Sequence, residues 1–538
     1  MSPATVVDVH CHIFNAQDLP IPQFARRVFL VDHPIGGALA EPLIAIVALI
    51  MDSGAPTAQT EIAELGKIAD GSAEPEEYIQ TFEHKRQIVQ MALERFLRPG
   101  DIVVLGKSGV DFNLPFADRQ DFVNELHARV HRKTAAEFRL PALDLGGLAG
   151  ELILGGDDVL QFVPWALTFT NYRFEILRQL SELSPDGKSE IFFYVPAVVD
   201  FNNWLKGPDD VLPIQVTPLP QQAAVMGKIS AMKNRSYAMH GYIGFDPWRQ
   251  AVYQRDSRQR TLDPTITDAI TKQGFMGVKL YPPMGFRAMG NGDSDLKPAN
   301  EHFPPDLVQA LGYSCGDLLD DALRVLYDWC IKEDVPIMAH CGRSNYSRPD
   351  FAERASPLFW KRVLNYTDAR GTPYKALRLN LGHIGGTSEY AENKPGAGWM
   401  EIVVDMLGDP NYPNLYADFA YDSLALERNS DEVTNDGKVM SFLKQTLPGT
   451  NALSKIMYGS DWIMLGLEFG NERYYSAVKK HFRDILGSDI LLNGFLTRNA
   501  ANFLGLPIQA GKKLKPRQRL EEFYQANGLD FSALKPFL

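Results

Sequence analysis

The sequence has no excess of basic residues. Lys and Arg number 54 against 66 Asp and Glu, which gives a formal net charge of -12 at pH 7. Binding to nucleic-acid phosphates or to anionic lipid surfaces depends on clustered positive charge. We therefore expect that this protein binds neither nucleic acid nor a membrane.

Long apolar runs and cysteines are scarce as well. The most apolar stretch, residues 43–51, is far shorter than the roughly 20 residues that a helix needs to cross a bilayer. No basic segment followed by a long apolar one stands at the N-terminus, as it would in a secretory signal, so we expect a cytoplasmic protein. The four cysteines are too few for a disulfide framework, and we expect reduced thiols.

A large core is what the sequence does provide. The chain has 538 residues and is 45% hydrophobic, which suits several domains or one large α/β domain with insertions. Short runs of apolar and β-branched residues recur, and they predict eight strands. The predicted strands are residues 5–12, 191–200, 239–246, 275–281, 335–341, 377–384, 415–420 and 456–462.

Helical segments separate most of these strands. Apolar residues recur at helical spacing in residues 318–333, 399–407 and 474–486. Alternation of apolar strands with helices predicts a parallel sheet covered by helices. Eight such repeats fit a (β/α)8 TIM barrel, which needs about 250 residues. We predict that residues 1–12 and 191–506 form this barrel.

Residues 13–190 are too many for a connection between a strand and a helix. We predict a large, mainly helical insertion after the first strand, with helices at residues 76–96 and 117–137. Residues 101–105 could instead add a strand to the barrel. The insertion follows the carboxyl end of a strand, so we expect a cap over the barrel mouth or an interface in a homo-oligomer. Residues 507–538 are predicted to be a solvated C-terminal tail, with a basic stretch at residues 512–519 that is followed by a short helix.

The first predicted strand carries two histidines, His10 and His12, in the run VVDVHCH. Side chains alternate across a strand, so both imidazoles point to the same side. Two imidazoles on one side of an apolar strand can form half of a metal site. Taken alone the pair is a weak signal, because many buried histidines are satisfied by hydrogen bonds.

Other strand ends carry residues of the same chemical kind. Lys279, His340, His383 and Asp461 lie at the ends of the fourth, fifth, sixth and eighth predicted strands. In a closed barrel these positions converge on one opening together with the two histidines of the first strand. Each has an ordinary alternative: a lysine that reaches the surface, a hydrogen-bonded histidine, or an aspartate that caps a helix.

The ordered set of motifs resembles the amidohydrolase superfamily, in particular its amidohydrolase-related branch. The residues that carry the resemblance are HCH at 10–12, GVKLYPP around Lys279, MAHCG around His340, GHIGG around His383 and YGSD, which ends in Asp461. Residues 499–506 are similar to the branch's final helix. The resemblance covers the first strand and residues 191–506, and it covers neither the insertion nor the tail.

The resemblance implies a divalent metal ion, with Zn²⁺ favoured and Mn²⁺ an alternative. His10, His12 and Asp461 would be ligands of the buried ion. With one ion, His340 is a further ligand, and His383 polarises the substrate or moves a proton. With two ions, a carboxylated Lys279 bridges them, and His340 and His383 hold the second. We favour one ion, with Lys279 contacting the substrate.

The resemblance also implies a reaction. Asp461 would take the proton of a nucleophilic water, which predicts a metal-dependent hydrolase acting on an amide, ester or lactone of a small molecule. A second hypothesis is a non-oxidative decarboxylase of an aromatic or unsaturated acid, in which His383 or Asp461 handles the proton. A third is a binding protein whose barrel has lost catalysis.

Three further residues are candidates for substrate contacts. Arg343 follows His340 and suits bidentate recognition of a carboxylate. Tyr281 and Trp462 follow Lys279 and Asp461 and could stack on a ring. The ordinary alternatives are a surface ion pair for the arginine and core packing for the two aromatic residues.

Overall fold

The fold is built from parallel strands that alternate with helices. The computed structural model describes residues 5–24, 48–51, 54–97, 165–185, 187, 189–200, 216–293, 315–344, 346, 348–426, 435–468 and 470–538. Within these residues it has nine strands: β1 (Val6–Cys11), β2 (Ile191–Pro196), β3 (Ala238–Met239), β4 (Tyr242–Phe245), β5 (Gly277–Leu280), β6 (Ile337–His340), β7 (Leu379–Gly382), β8 (Leu415–Phe419) and β9 (Ile456–Tyr458). All eight predicted strands are present.

One predicted strand, residues 239–246, is divided into β3 and β4. A Cβ atom at Gly241 would lie 2.7 Å from the carbonyl oxygen of Pro196, so only glycine fits at this break. The strands form two parallel sheets, β1-β2-β3 and β4-β5-β6-β7-β8-β9. A parallel bridge between Ala197 and Tyr242 joins the two sheets at the break.

The last strand lies beside the first. The backbone amides of Ser460 and Asp461, just after β9, donate to the carbonyl oxygen of His10 in β1 at 3.1 and 2.8 Å. The strands therefore follow one another around a (β/α)8 barrel, although hydrogen bonding divides them into two sheets rather than one continuous ring. The predicted fold class is confirmed.

Helices follow the strands along the chain. The helices of eight residues or more in the described part are α1 (Ala58–Asp70), α2 (Phe82–Leu97), α3 (Arg173–Ser181), α4 (Leu219–Ser230), α5 (Pro247–Ser257), α6 (Pro264–Lys272), α7 (Cys315–Glu333), α8 (Pro357–Leu364), α9 (Gly398–Gly408), α10 (Asn435–Thr446), α11 (Tyr474–Leu486) and α12 (Lys515–Asn527). The three helices predicted between strands correspond to α7, α9 and α11. In α7, Leu319, Leu323 and Leu326 recur at helical spacing and are buried.

The described residues between β1 and β2 are mainly helical, with α1, α2 and α3. The predicted segments 101–105 and 117–137 lie outside the described residues, and the boundaries 13–190 stay a prediction. A buried ion pair ties this region to the chain after β1. The guanidinium of Arg173 in α3 donates to both carboxylate oxygens of Asp18 at 2.7 and 2.6 Å, and to Glu61 in α1 at 2.6 Å.

The prediction of a solvated tail is wrong. α12 and a 3-10 helix at Phe531–Phe537 bury Leu520, Phe523 and Phe537 in a core cluster with residues of β1 and β2. The predicted short helix is present, but Leu520, Phe523 and Tyr524 recur at helical spacing and give it a buried apolar side. Tyr524 also meets His240, whose Nε2 lies 3.1 Å from the tyrosine hydroxyl and whose Nδ1 lies 2.9 Å from the Gly274 carbonyl oxygen.

Two expectations from composition concern the cysteines and membrane-spanning helices. The four cysteines, Cys11, Cys315, Cys330 and Cys341, are all free and buried, as expected. In the described part of the chain, no helix combines the length and the low polarity that are needed to cross a bilayer.

Candidate metal centre

The ends of the barrel strands bring the six predicted metal-site residues together. The last residue of β6 is His340, His383 directly follows β7, and Asp461 lies shortly after β9. None of the six is more than 9% exposed. The exposed fractions are 0% for His10, 6% for His12, 1% for Lys279, 1% for His340, 9% for His383 and 4% for Asp461.

The two histidines of the first strand both contact the carboxylate of Asp461. Its Oδ1 lies 3.3 Å from Nε2 of His10 and 3.2 Å from Nε2 of His12. His10, His383 and Asp461 each offer one ligand atom, and these atoms all lie within 4.8 Å of one another. This group can hold a metal ion, and it contains His383, which we expected as a ligand only in the two-ion arrangement.

In three of the histidines, the Nδ1 atom faces an oxygen acceptor. An oxygen acceptor requires a proton on Nδ1, so Nε2 presents its lone pair to the centre of the site. Metal-binding histidines are oriented in this way. The acceptors are the Asp418 carboxylate for His10 at 3.1 and 3.2 Å, the Ala197 carbonyl for His12 at 2.9 Å and the Ala420 carbonyl for His383 at 3.1 Å. The donor set fits a divalent ion.

His340 is joined to the ligand group through His383. Its Nδ1 lies 3.1 Å from Nε2 of His383, and its Nε2 lies 3.3 Å from the hydroxyl of Ser344. Because Nδ1 of His383 carries the proton, its Nε2 is an acceptor, so Nδ1 of His340 donates to it. Sequence reasoning missed Ser344, which orients the far side of the His340 ring.

Lys279 points into the same group. Its Nζ lies 3.4 Å from Nε2 of His10 and 2.8 Å from the sulfur of Met338. Burial lowers the pKa of Lys279 to about 8, although the carboxylates of Asp461 and Asp418 oppose this effect. A neutral amine is therefore accessible near neutral pH, which suits both carboxylation by CO₂ and contact with a substrate.

The electrostatics of the site favour the protonation states that metal ligands need. Burial raises the pKa of Asp461, but the opposing interactions with His10, His12 and His383 are stronger and bring it to about 2. Burial is the main cause that holds the pKa values of His10 and His340 well below the usual range. At neutral pH Asp461 is ionised, and these two histidines are neutral.

Two buried aspartates beneath the ligands were missed by sequence reasoning. Asp418 in β8 accepts from the backbone amide of His383 at 3.0 Å and from Asn380 at 2.7 Å, in addition to its bond with His10. Asp8 accepts from the amide and hydroxyl of Ser460 at 3.0 and 2.6 Å, and burial raises its pKa to about 7. Each is the one acidic residue of its strand, and this pattern is visible in the sequence.

The backbone at the site is unusual in two respects. A Cβ atom at Gly459 would lie 2.8 Å from the Cβ of His10, so the glycine allows β9 to approach β1. Asp461 and His383 have left-handed φ angles of 53° and 62°. Such conformations cost non-glycine residues on the order of 1–3 kcal/mol and persist where the surroundings determine them, often at functional sites.

The predicted substrate-contact residues lie in different surroundings. The ring of Tyr281 packs against that of His340, with centroids 4.6 Å apart. Trp462 is 7% exposed, and its indole Nε1 has no hydrogen-bond partner among the described residues. Arg343 forms an ion pair with Glu353, so its charge is already matched.

Comparisons with known proteins add only distant similarities. No family model and no curated protein matches the chain. A Lactobacillus casei structure, provisionally named a metal-dependent hydrolase, has 12% identity and a TM-score of 0.36, over 93% of this chain and 94% of that one. A Burkholderia multivorans amidohydrolase with bound HEPES has 11% identity and a TM-score of 0.34, over 66% and 96%. A Pseudomonas putida protein, provisionally named a 2-pyrone-4,6-dicarboxylic acid hydrolase, has 14% identity and a TM-score of 0.32, over 62% and 87%. These scores assign neither a substrate nor a metal to this chain.

Proposed function

We propose that this chain is a metal-dependent hydrolase that acts on a C–N or C–O bond, in an amide, ester or lactone of a small molecule. The observation that carries the proposal is the orientation of three histidines by oxygen acceptors, together with a buried Asp461 at the centre. Burying these polar groups is costly unless they serve a ligand or one another. They lie at the carboxyl ends of barrel strands, where the catalytic residues of this fold are found.

His10, His12 and Asp461 would hold the ion, and His383 lies close enough to join them. Imidazole and carboxylate ligands favour Zn²⁺, with Mn²⁺ as the alternative. A bound divalent ion would supply Lewis acidity, which polarises a carbonyl group and makes water a nucleophile at neutral pH.

Proton transfer falls to Asp461 and His383 in this proposal. The carboxylate of Asp461 is ionised at neutral pH and can accept the proton of the attacking water, then deliver it to the leaving group. The Nε2 atom of His383 faces Nδ1 of His340 at 3.1 Å, so a proton can pass between the two rings.

Substrate recognition is proposed for residues around this centre. The buried indole N–H of Trp462 would donate to an acceptor on the substrate, because a donor buried without a partner is costly. Tyr281 offers a ring beside His340, and Lys279 offers its amine or ammonium group. Arg343 would bind a substrate carboxylate only by leaving Glu353.

The number of ions is proposed to be one, with Lys279 unmodified. Metal analysis of the purified protein should then give one ion per chain, and intact-mass measurement should show no added CO₂. Lys279→Met should keep that ion. Two ions per chain, an added CO₂ on Lys279 and loss of one ion in the variant would instead establish the bridged arrangement.

A non-oxidative decarboxylase remains the second candidate. The contact between His340 and His383 favours it, because a linked pair of imidazoles can protonate the carbon from which CO₂ leaves. The fold supports both reactions, so the products must decide between them. Release of CO₂ without a hydrolytic product would support the decarboxylase.

The central experiment is metal content followed by activity. Wild-type protein should bind Zn²⁺ and hydrolyse members of a panel of amides, esters and lactones. His12→Ala and Asp461→Asn should lose both properties, whereas His481→Ala, which removes a histidine on α11, should keep them. A metal-free protein with full hydrolytic activity would refute the proposal.

A further inference from the structure

Trp165 belongs to the segment between β1 and β2, which the family resemblance does not cover, yet it contacts the loop after β9. Its indole Nε1 donates to the carbonyl oxygen of Ile463 at 2.8 Å, and the side chain is buried. Ile463 is the second residue after Asp461. A residue of the insertion is thus bonded to the backbone next to the central carboxylate of the candidate site.

The backbone of Asp461 needs external support, because its φ of 53° is unfavourable for a residue with a side chain. Its amide donates to His10, and its carbonyl oxygen accepts from Met464 and Leu465 at 2.9 and 3.3 Å. These bonds close a tight turn, which residues 461–466 form. The direction of the carboxylate depends on this turn staying closed.

Trp165 also packs against the turn at Gly466. A Cβ atom at Gly466 would lie 3.1 Å from Cδ1 of Trp165 and 3.3 Å from the ring of Trp462. The amide of Gly466 donates to the same Ile463 carbonyl at 3.1 Å. The turn is therefore held by a backbone bond within it and by the indole of Trp165 from outside.

A line of aromatic rings connects the same tryptophan to the other side of the site. Trp165 meets Phe169 edge-on, with centroids 4.6 Å apart, and Phe169 stacks on Phe14 at 5.8 Å. The ring of Phe14 lies 5.5 Å from that of His12. Packing interactions of the insertion thus reach His12 as well as the turn that carries Asp461.

We propose that Trp165 is a positioning residue, through which the insertion fixes the turn at residues 461–466 and the direction of the Asp461 carboxylate. The inference rests on the proposed function, in which Asp461 is a metal ligand. The inference assigns a specific role to the insertion. The insertion completes the geometry of the ion site rather than only covering the barrel mouth.

The test compares Trp165→Phe with a matched control. The variant keeps an aromatic ring but loses the indole donor. Trp360→Phe is the control, because Trp360 is buried as well and its Nε1 has no hydrogen-bond partner among the described residues. Hydrogen exchange at the amides of Met464 and Leu465 and the affinity for Zn²⁺ are measured in both variants.

In Trp165→Phe we expect both amides to exchange roughly tenfold faster and Zn²⁺ affinity to fall roughly fivefold, the effect of one buried hydrogen bond. The control should match the wild type in both measurements. Unchanged exchange, equal acceleration in both variants, or faster exchange with unchanged Zn²⁺ affinity would each overturn the inference. A wild type that binds no Zn²⁺ would refute the proposed function, whereas exchange would still show whether Trp165 holds the turn.

Discussion

Asp418 holds the imidazole of His10 from the side opposite Asp461. Nδ1 of His10 lies 3.1 Å from Oδ1 of Asp418, and Nε2 lies 3.3 Å from Oδ1 of Asp461. The ring is therefore fixed between two carboxylates, one of which sets the tautomer while the other shares the centre of the site. In the proposed metal site, Asp418 would therefore orient the ligand His10 and raise its basicity.

Asp418→Asn should weaken Zn²⁺ binding by roughly 10- to 100-fold. The amide keeps the shape of the side chain but removes the charge that stabilises the proton on Nδ1 of His10. Isothermal titration with Zn²⁺ measures the change directly. The matched control is Glu175→Gln, which neutralises an equally buried carboxylate paired with Arg178 in α3. Equal losses of affinity in the two variants would mean that Asp418 has no special role.

Gly459→Ala should lower both stability and Zn²⁺ affinity. The added methyl group would lie 2.8 Å from the Cβ of His10, so β1 and β9 must separate. Overpacking of this kind costs roughly 1–3 kcal/mol in the free energy of unfolding. In contrast, a methyl group at Gly398 meets no atom within 4 Å, and Gly398→Ala should leave the affinity unchanged. Wild-type affinity in Gly459→Ala would show that the strand contact tolerates the expansion.

Arg173→Met should destabilise the protein by roughly 3–5 kcal/mol, because it leaves Asp18 and Glu61 buried without their cation. Unfolding by denaturant, followed by fluorescence, measures the loss. Arg255→Met is the control: Arg255 and its partner Asp256 are both exposed, and such pairs contribute about 1 kcal/mol at most. Similar losses in both variants would contradict the importance of the buried pair.

His240 should make stability depend on pH in the acidic range. Burial lowers its pKa to about 3, whereas in the unfolded chain it is about 6.5. Between these values only the unfolded chain binds the proton, so this contribution is full above pH 6.5 and is lost as the pH falls toward 3. The slope is about 1.4 kcal/mol per pH unit.

The measurement is the free energy of unfolding from pH 6 to pH 4. His240→Gln should reduce the slope by about one proton relative to the wild type. His84→Gln removes an exposed histidine and should leave the slope unchanged. A wild-type slope in His240→Gln would contradict the prediction.

The strand pattern and the residues at strand ends could be predicted from the sequence. Buried parallel strands are apolar along their whole length, so the eight runs stood out, and alternation placed His10 and His12 on one side. Their rings are indeed neighbours, with centroids 5.6 Å apart. The convergence of Lys279, His340 and His383 followed from the fold alone.

Other features could not be predicted because they depend on distances between distant segments. Alternation gives the side to which Asp418 points, but not that its oxygens reach His10. Nothing local shows how close His383 lies to Asp461, or that Trp165 reaches Ile463. The burial of the C-terminal residues could not be predicted, because basic residues indicate a solvated surface and the partners of α12 lie in the distant strands β1 and β2.

The contact between the first and last strands has a consequence for biosynthesis. Ser460 donates to Asp8 across 452 positions of the chain, and Asp461 meets His10 in the same region. The ribosome adds His10 and His12 early in synthesis. Asp461, whose carboxylate contacts both, is added only after β9. Closing so long a loop has an entropic cost, which slows the formation of such contacts. In the proposed metal site, the central carboxylate is therefore absent from a nascent chain that stops before β9.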